Sequence, residues 1–212
     1  MMAATASSIA SLESQVQRSP IGLEPQVQRS PNELEYAFIH QLSEQEYIDL
    51  YHIVSDPNTM QWIGDSQPWS PQRLLERRNY SAKDFTLPWT KRTYFYWAIL
   101  RRADKDGVTS KKVIGMFGLH PVVYPLPSNA LQVMYIIAPA ERGHGYAAHA
   151  IHDMMTRPEF TSETRAIYAT IHEKNVPSVK TILNSGLFER DHKIPSIKIR
   201  QRSNLVFRYK PT

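Results

Sequence analysis

A strand that runs into a two-glycine turn and directly on into a helix limits this chain's possible folds more than any other feature. Val133-Met134-Tyr135-Ile136-Ile137 is a run of strand formers, Pro139 ends it, and Arg142-Gly143-His144-Gly145 leads into Tyr146-Ala147. The next residues, to Thr156, carry one apolar stripe (Ala147, Ala150, Ile151, Met154, Met155) opposite a polar one, as an amphipathic helix does. A helix that starts at such a turn presents unpaired N–H groups and the positive end of its dipole, which suits an anion and above all a pyrophosphate. The glycines let backbone approach phosphate oxygens with no Cβ in the way. A P-loop would need Lys and Ser/Thr after Gly145, where Tyr146 stands. A dinucleotide fingerprint starting at Gly143 would put its third glycine at Ala148, which its looser form tolerates. That motif, however, belongs early in a βαβ unit, and this turn lies two-thirds along the chain.

Around this junction, strands and helices interleave. Residues 34–39 read as a strand, and Ser43 with Glu46 forms a capping box for a helix bearing Tyr47, Leu50, Tyr51 and Val54. Asp56-Pro57-Asn58 is expected to stop that helix, and Ser70-Pro71 to open another running to about Lys83. Residues 93–102 and 112–120 read as strands joined by a turn over 104–111 that contains Asp-Gly. Three prolines make 121–128 a loop, and 131–138 is the strand of the junction. Residues 165–171 form another strand, 177–184 a helix stopped by Ser185-Gly186, and short strands finish the chain, the last at 204–209. Strands interleaved with helices around a central hairpin indicate a mixed α/β sheet.

Composition removes several alternatives. The 212 residues include no cysteine, so disulfide frameworks, zinc ribbons and thiol nucleophiles are out. The longest apolar run, residues 94–100, is far short of the ~20 residues of a membrane span. Residues 1–12 lack the basic start of a secretory signal, and Glu13 and Glu24 argue against a transit peptide, so a cytoplasmic or nuclear protein is expected. The net charge of +5 is localised: residues 191–212 hold six Lys or Arg against one Asp, a solvated edge more than a nucleic-acid footprint. Residues 1–33 have no aromatic side chain and repeat Gln-Val-Gln-Arg-Ser-Pro from Gln15 and from Gln26, so they read as a disordered tail before a domain at 34–212.

Read together, these motifs resemble the GNAT superfamily of N-acetyltransferases, and within it the branch of the ribosomal-protein N-terminal acetyltransferases. The resemblance spans about residues 34–209. Its central signature, Gln/Arg-x-x-Gly-x-Gly/Ala, is matched by Arg142, Gly145 and Ala147. A second, Asn175-x-x-Ser178 opening a helix that ends at Gly186-Leu187, also fits, with Leu187 in place of the usual Phe. Residues 114–119 resemble the family's earlier central strand. The resemblance implies a single α/β (α+β) domain, with a mixed, mostly antiparallel sheet flanked by helices and a V-shaped opening between two central strands. It implies acetyl-CoA as co-substrate and no metal. The N–H groups of Arg142, Gly143, His144, Gly145, Tyr146 and Ala147 would cradle the pyrophosphate. The backbone of Ile136 and Ile137 would pair with the pantetheine arm, and Asn175 would contact that arm.

Acetyl transfer to an amine needs a deprotonated amine, a polarised carbonyl and a proton for the leaving thiolate. Many relatives use a Tyr seven residues after the Asn as the acid; Ile182 stands there, and the resembling branch's Ser is matched by Ser178, which a helix cap would equally explain. Glu173 and His120 are the candidate bases, with ordered water as the alternative. His149 and His152 share a helix face near His144 without a convincing third ligand, so no metal is expected. The acceptor is expected over residues 56–92, where Trp62, Trp69 and Trp89 accompany Asp65, Glu76 and Asp84, a set able to hold a cationic amine. The expected function is acetyl-CoA-dependent N-acetylation of a primary amine, on a small molecule or on a protein N-terminus or lysine, by direct transfer. The alternative is a non-catalytic acyl-CoA-binding or nucleic-acid-binding module. A monomer or homodimer with neither membrane nor nucleic-acid partner is expected.

Overall fold

Two long strands form the frame of the molecule. In the computed structural model, which describes residues 34–105, 108–161 and 165–210, β2 (Phe95–Lys105) pairs antiparallel with β3 (Val108–Pro121) from Phe95 opposite Leu119 to Lys105 opposite Val108. The ladder runs further than the sequence suggests, since Asp104 pairs with Thr109 and Lys105 with Val108, and the expected Asp106-Gly107 turn itself lies outside the described residues. An extra residue, Ile114, bulges from β3 opposite Ile99 and Leu100 and is fully buried. The expected tail, 1–33, lies outside the described residues.

β1 (Leu34–Phe38) adds antiparallel to β2, and β4 (Leu131–Ile137) antiparallel to β3. β5 (Ile167–His172) then runs parallel to β4, and β8 (Arg202–Tyr209) antiparallel to β5. The outer edge of β8 takes β6 (Phe188–Arg190) and β7 (Ser196–Ile199). This mixed eight-stranded sheet is antiparallel except at its centre.

Both faces are covered by helices, giving three layers. One face packs α1 (Glu44–Val54), α2 (Pro57–Met60) and α3 (Pro71–Phe85), burying Leu50, Val54, Met60 and Leu74 against Ala98, Met116 and Ile136. The other packs α4 (Tyr146–Met155), α5 (Pro158–Thr161) and α6 (Val176–Asn184), burying Ile151, Met154, Val179 and Ile182 against Val133 and Ile137. The Ser43–Glu46 capping box forms as expected. Asp56-Pro57 does more than stop α1: the Asp56 carboxylate accepts the Thr59 N–H at 2.8 Å and caps α2.

The sheet parts at its centre. β4 and β5 share only two register pairs, Leu131 with Ile167 and Gln132 with Tyr168. Beyond them the strands diverge into the V-shaped opening that positions the site.

Candidate active site

Strand parity decides what faces the opening. The Leu131 N–H turns to Ala166 beside β5, while the Ala138 N–H turns to Ile114 of β3. Alternate residues therefore point their main chain into the gap: Val133, Tyr135 and Ile137 do, and Ile136, whose carbonyl oxygen crowds Gly115 of β3, does not. This corrects the expectation for Ile136. At Ile137 only the N–H remains open to a ligand, because Arg142 Nε donates to its carbonyl at 3.0 Å. The unpaired edge of β4 thus centres on Tyr135.

A cleft of about 370 Å³ runs through the gap from one face of the sheet to the other. On the α3 face its wall includes Trp62, Trp69, Arg77, Tyr96 and His120; on the α6 face it includes Tyr135, Asn175 and Ser178. The Tyr135 hydroxyl lies 3.0 Å from the Ser178 carbonyl oxygen and 2.6 Å from Ser178 Oγ. A carbonyl only accepts, so the phenol donates to it, and the serine hydroxyl satisfies the second contact by donating to the phenol oxygen. Burial raises the Tyr135 pKa, keeping the phenol protonated. The alternative reading of Ser178 as a cap falls away: Asn175 is the cap, its side-chain oxygen accepting the Ser178 N–H at 3.3 Å. The Asn175 NH₂ is then the end of that amide left for a ligand. Ile182 is core and carries no chemistry.

Of the two candidate bases, His120 lines the cleft and Glu173 does not; Glu173 sits on the turn after β5 with its N–H donated to Ser203. His120 Nδ1 is 2.9 Å from the Pro121 carbonyl, so Nδ1 carries the proton and Nε2 keeps a lone pair. Burial pushes the imidazole pKa below its ordinary 6.5, and the Arg77 charge adds to the shift against the Pro121 bond. His172, which the sequence reading passed over, also lines the cleft; its Nδ1 accepts the Lys174 N–H at 3.1 Å and its ring packs on Trp62.

The glycine turn lies beyond the cleft, at the C-terminal end of β4. Gly143 and Gly145 both have φ +80°, in the left-handed region, with open space where a Cβ would stand. Gly145 caps α4 without a side-chain hydrogen bond, leaving the first-turn N–H groups unpaired. An anion fits here: the amides are free, the dipole favours negative charge and nothing fills the approach. Below the turn, buried Glu141 pairs with Lys112 at 2.8 Å and Arg101 at 3.5 Å, an anchor that the sequence reading missed. His144 is held at the Glu141 carbonyl and stacks on Tyr146. His149 pairs with Asp153 at 3.2 Å, and no cluster of three potential metal ligands forms among the described residues.

The acceptor expectation needs correction. Trp62 and Trp69 line the cleft, but Trp89 packs in the core against Phe95 and Phe160. Asp84 is buried and accepts the Thr93 and Tyr94 N–H groups at 2.7 and 2.8 Å; Asp65 is bound to Arg73 at 2.8 Å, and Glu76 is exposed away from the cleft. The basic C-terminal segment is likewise divided. Arg202 reaches the cleft, Arg200 pairs with Asp65 at 3.4 Å and Lys210 with Glu189 at 3.7 Å.

A three-layer domain whose sheet parts at two central strands, with a glycine turn at the end of one, is the plan of an acetyltransferase. The family is specific: residues 37–187 match the model of the acetyltransferase (GNAT) domain, and the chain belongs to that family. Solved structures share the fold at low identity. A spermidine N-acetyltransferase from Vibrio cholerae, in complex with CoA and spermine, is 20% identical with a TM-score of 0.56, covering 83% of this chain and 93% of its own. A ribosomal-protein-alanine N-acetyltransferase from Brucella melitensis is 14% identical with a TM-score of 0.60, covering 84% and 99%. AAC(6')-Ib, in complex with ribostamycin and coenzyme A, is 11% identical with a TM-score of 0.59, covering 84% and 94%. No match was found among curated proteins. Among the described residues no helix is long and apolar enough to cross a membrane.

Proposed function

We propose that the protein is an acetyl-CoA-dependent N-acetyltransferase that acetylates a primary amine by direct transfer. One observation carries this reading: a neutral imidazole and a hydrogen-bonded pair of hydroxyls flank one opening in the sheet from opposite faces. Acetyl-CoA supplies an activated acyl group whose carbonyl carbon is attacked by the amine while the thiolate leaves. His120 Nε2, on the α3 face, takes the proton the amine gives up, directly or through water. Ser178, backed by Tyr135, returns a proton to the thiolate sulfur on the α6 face. The Tyr135 and Ile137 N–H groups on the open edge of β4 donate to the carbonyl oxygen as it gains negative charge. The unpaired amides of Gly143 to Ala147 hold the pyrophosphate, and the Asn175 NH₂ meets the pantetheine arm. With no cysteine in the chain, the commonest covalent route is absent.

Calorimetry with acetyl-CoA tests the reading first. The wild type should bind, and Gly145→Glu, which sets a carboxylate against the pyrophosphate, should abolish binding. Thiol release across a panel of amines should then show turnover. Absence of acetyl-CoA binding by the wild type would end the proposal.

A further inference from the structure

The cleft's charge is the wrong sign for a polycation. Among its lining residues none is Asp or Glu, whereas Arg73, Arg77 and Arg202 all reach it. Arg73 is compensated by Asp65, but among the described residues no carboxylate pairs with Arg77 or Arg202. Among the described residues Arg77 is held by rings alone, 5.8 Å from the centroids of both Trp69 and Tyr80. Those contacts orient a guanidinium and leave its N–H edges without an acceptor. Trp69 adds a second donor, since its buried indole N–H finds no acceptor among the described residues. Tyr80 stacks on Tyr94 at 4.8 Å, and Tyr94 neighbours Tyr96, so the cationic patch is set in an aromatic wall. The open guanidinium of Arg77, a second cation at Arg202 whose Nη1 is already donated to the Gln61 carbonyl and the Ser66 hydroxyl, an unpaired indole donor and flat apolar surface together make a receptor for an oxyanion on an organic body.

Resting on the reading of this cleft as the acyl-transfer site, we propose that the acceptor is a small-molecule primary amine bearing a carboxylate or phosphate, with that oxyanion bound at Arg77 and its body against the Trp69 and Tyr80 wall. Other charges near the bound amine work the same way. His120 shares the α3 face with Arg77, and the positive patch disfavours the ammonium form of a nearby amine, so the nucleophilic form is populated more readily. Gln132 donates to Thr170 at 2.6 Å and ties the two walls of the cleft together without adding a charge to it. A polyamine or aminoglycoside would bring several like charges to Arg77 and find no carboxylate in the cleft to receive them.

The test uses the full chain and matched pairs: L-phenylalanine against L-phenylalaninamide, and O-phosphoethanolamine against ethanolamine, with spermidine and ribostamycin as polycations. The expected result is kcat/KM at least ~10-fold higher for the anionic member of at least one pair, in the range of a charge-assisted hydrogen bond, with polycations turned over most poorly. Arg77→Gln should collapse that preference towards unity, and Arg77→Lys should restore part of it. Whichever pair responds identifies carboxylate or phosphate. Tryptophan fluorescence gives a readout that needs no turnover, because Trp62 and Trp69 line the cleft. If acetyl-CoA binds but the uncharged members or polycations are preferred, or no anionic amine is bound or acetylated better than its partner, the acceptor assignment is overturned while the transferase reading stands. If anionic amines bind in an Arg77-dependent way and acetyl-CoA does not bind, the transferase reading falls and the oxyanion site remains.

Discussion

The Tyr135 hydroxyl sits 2.6 Å from the Ser178 hydroxyl and joins β4 to α6 across the parted sheet. Neither residue is a proton source of ordinary strength alone. A serine hydroxyl is a weak acid, and burial raises the pKa of Tyr135. Their contact makes one unit: as Ser178 gives its proton to a thiolate, the phenol keeps its own and turns its O–H from the Ser178 carbonyl to the serine oxygen, so the developing alkoxide is hydrogen-bonded.

Two residues acting as one unit should lose activity non-additively. Ser178→Ala and Tyr135→Phe are each expected to lower kcat by ~10²-fold, within the usual reach of general acid catalysis. The double variant should be little worse than the poorer single one. Steady-state thiol release measures all three, and fully multiplied losses in the double variant would show that the two hydroxyls act separately.

Activity should hold to lower pH than a free histidine permits. His120 must be neutral to take a proton, and burial depresses its folded-state pKa below 6.5. The acid limb of kcat/KM should therefore begin below pH 6.5. Stability follows the same sign. The unfolded chain takes up this proton first as the medium acidifies, so the contribution is complete above the ordinary value and is lost as pH falls through the depressed one. His120→Gln should remove the acid limb and lower kcat/KM by ~10²-fold. A wild-type profile retained in that variant would exclude His120 as the base.

The fold was readable in the sequence wherever local rules decide it. The Ser43–Glu46 box, the Ser70-Pro71 helix start and the left-handed glycines before Tyr146 are encoded within a few residues, and each formed as the pattern requires. What escaped depends on partners distant in the chain. Tyr135 is one more aromatic in a strand until parity turns it towards Ser178, 43 residues on. Parity also separates Ile136 from the open edge, which a run of apolar residues cannot show. The acidic residues at 65, 76 and 84 suggest a site for a cation because sequence gives their proximity but not their use. Asp65 serves Arg73 and Asp84 serves two backbone N–H groups. Arg77 carried no motif, and only the packed structure brings its guanidinium between two rings in the cleft.

The glycine turn should loosen when its buried anchor is neutralised. Glu141 → Gln keeps the volume and gives up the pairs with Lys112 and Arg101, a loss of about 1–2 kcal/mol for hydrogen bonds to charged groups with one partner half in water. Its hydrogen bond to Lys112 chiefly holds the Glu141 carboxyl below its ordinary 4.5. The contribution is therefore present above that value and fades as pH falls through the lowered one. Urea midpoints of wild type and variant should differ at neutral pH and converge as pH falls through the lowered value. A constant gap across that range would mean that the charge of Glu141 does not hold the turn.

The point where Gly115 of β3 meets β4 should be intolerant of a single methyl group. A Cβ on Gly115 would stand 2.1 Å from the Ile136 carbonyl oxygen and 3.0 Å from Ile137 Cδ1. The first obstacle is backbone, so no rotamer change relieves it, and β4 must move away from β3 towards the gap. Overpacking of this kind costs about 1–3 kcal/mol. The displaced edge is also the one whose Tyr135 and Ile137 N–H groups serve the acetyl carbonyl in the proposed reaction. Gly115→Ala should thus lower the urea midpoint and weaken acetyl-CoA binding together, as read by denaturation and calorimetry on the same preparation. Gly143→Ala offers the contrast, since it meets open space and is strained only by its positive φ, costing about 1–2 kcal/mol without shifting β4. If Gly115→Ala left the midpoint unchanged, the two strands would not be packed at this distance, and the shape of the opening would have to depend on something other than their contact.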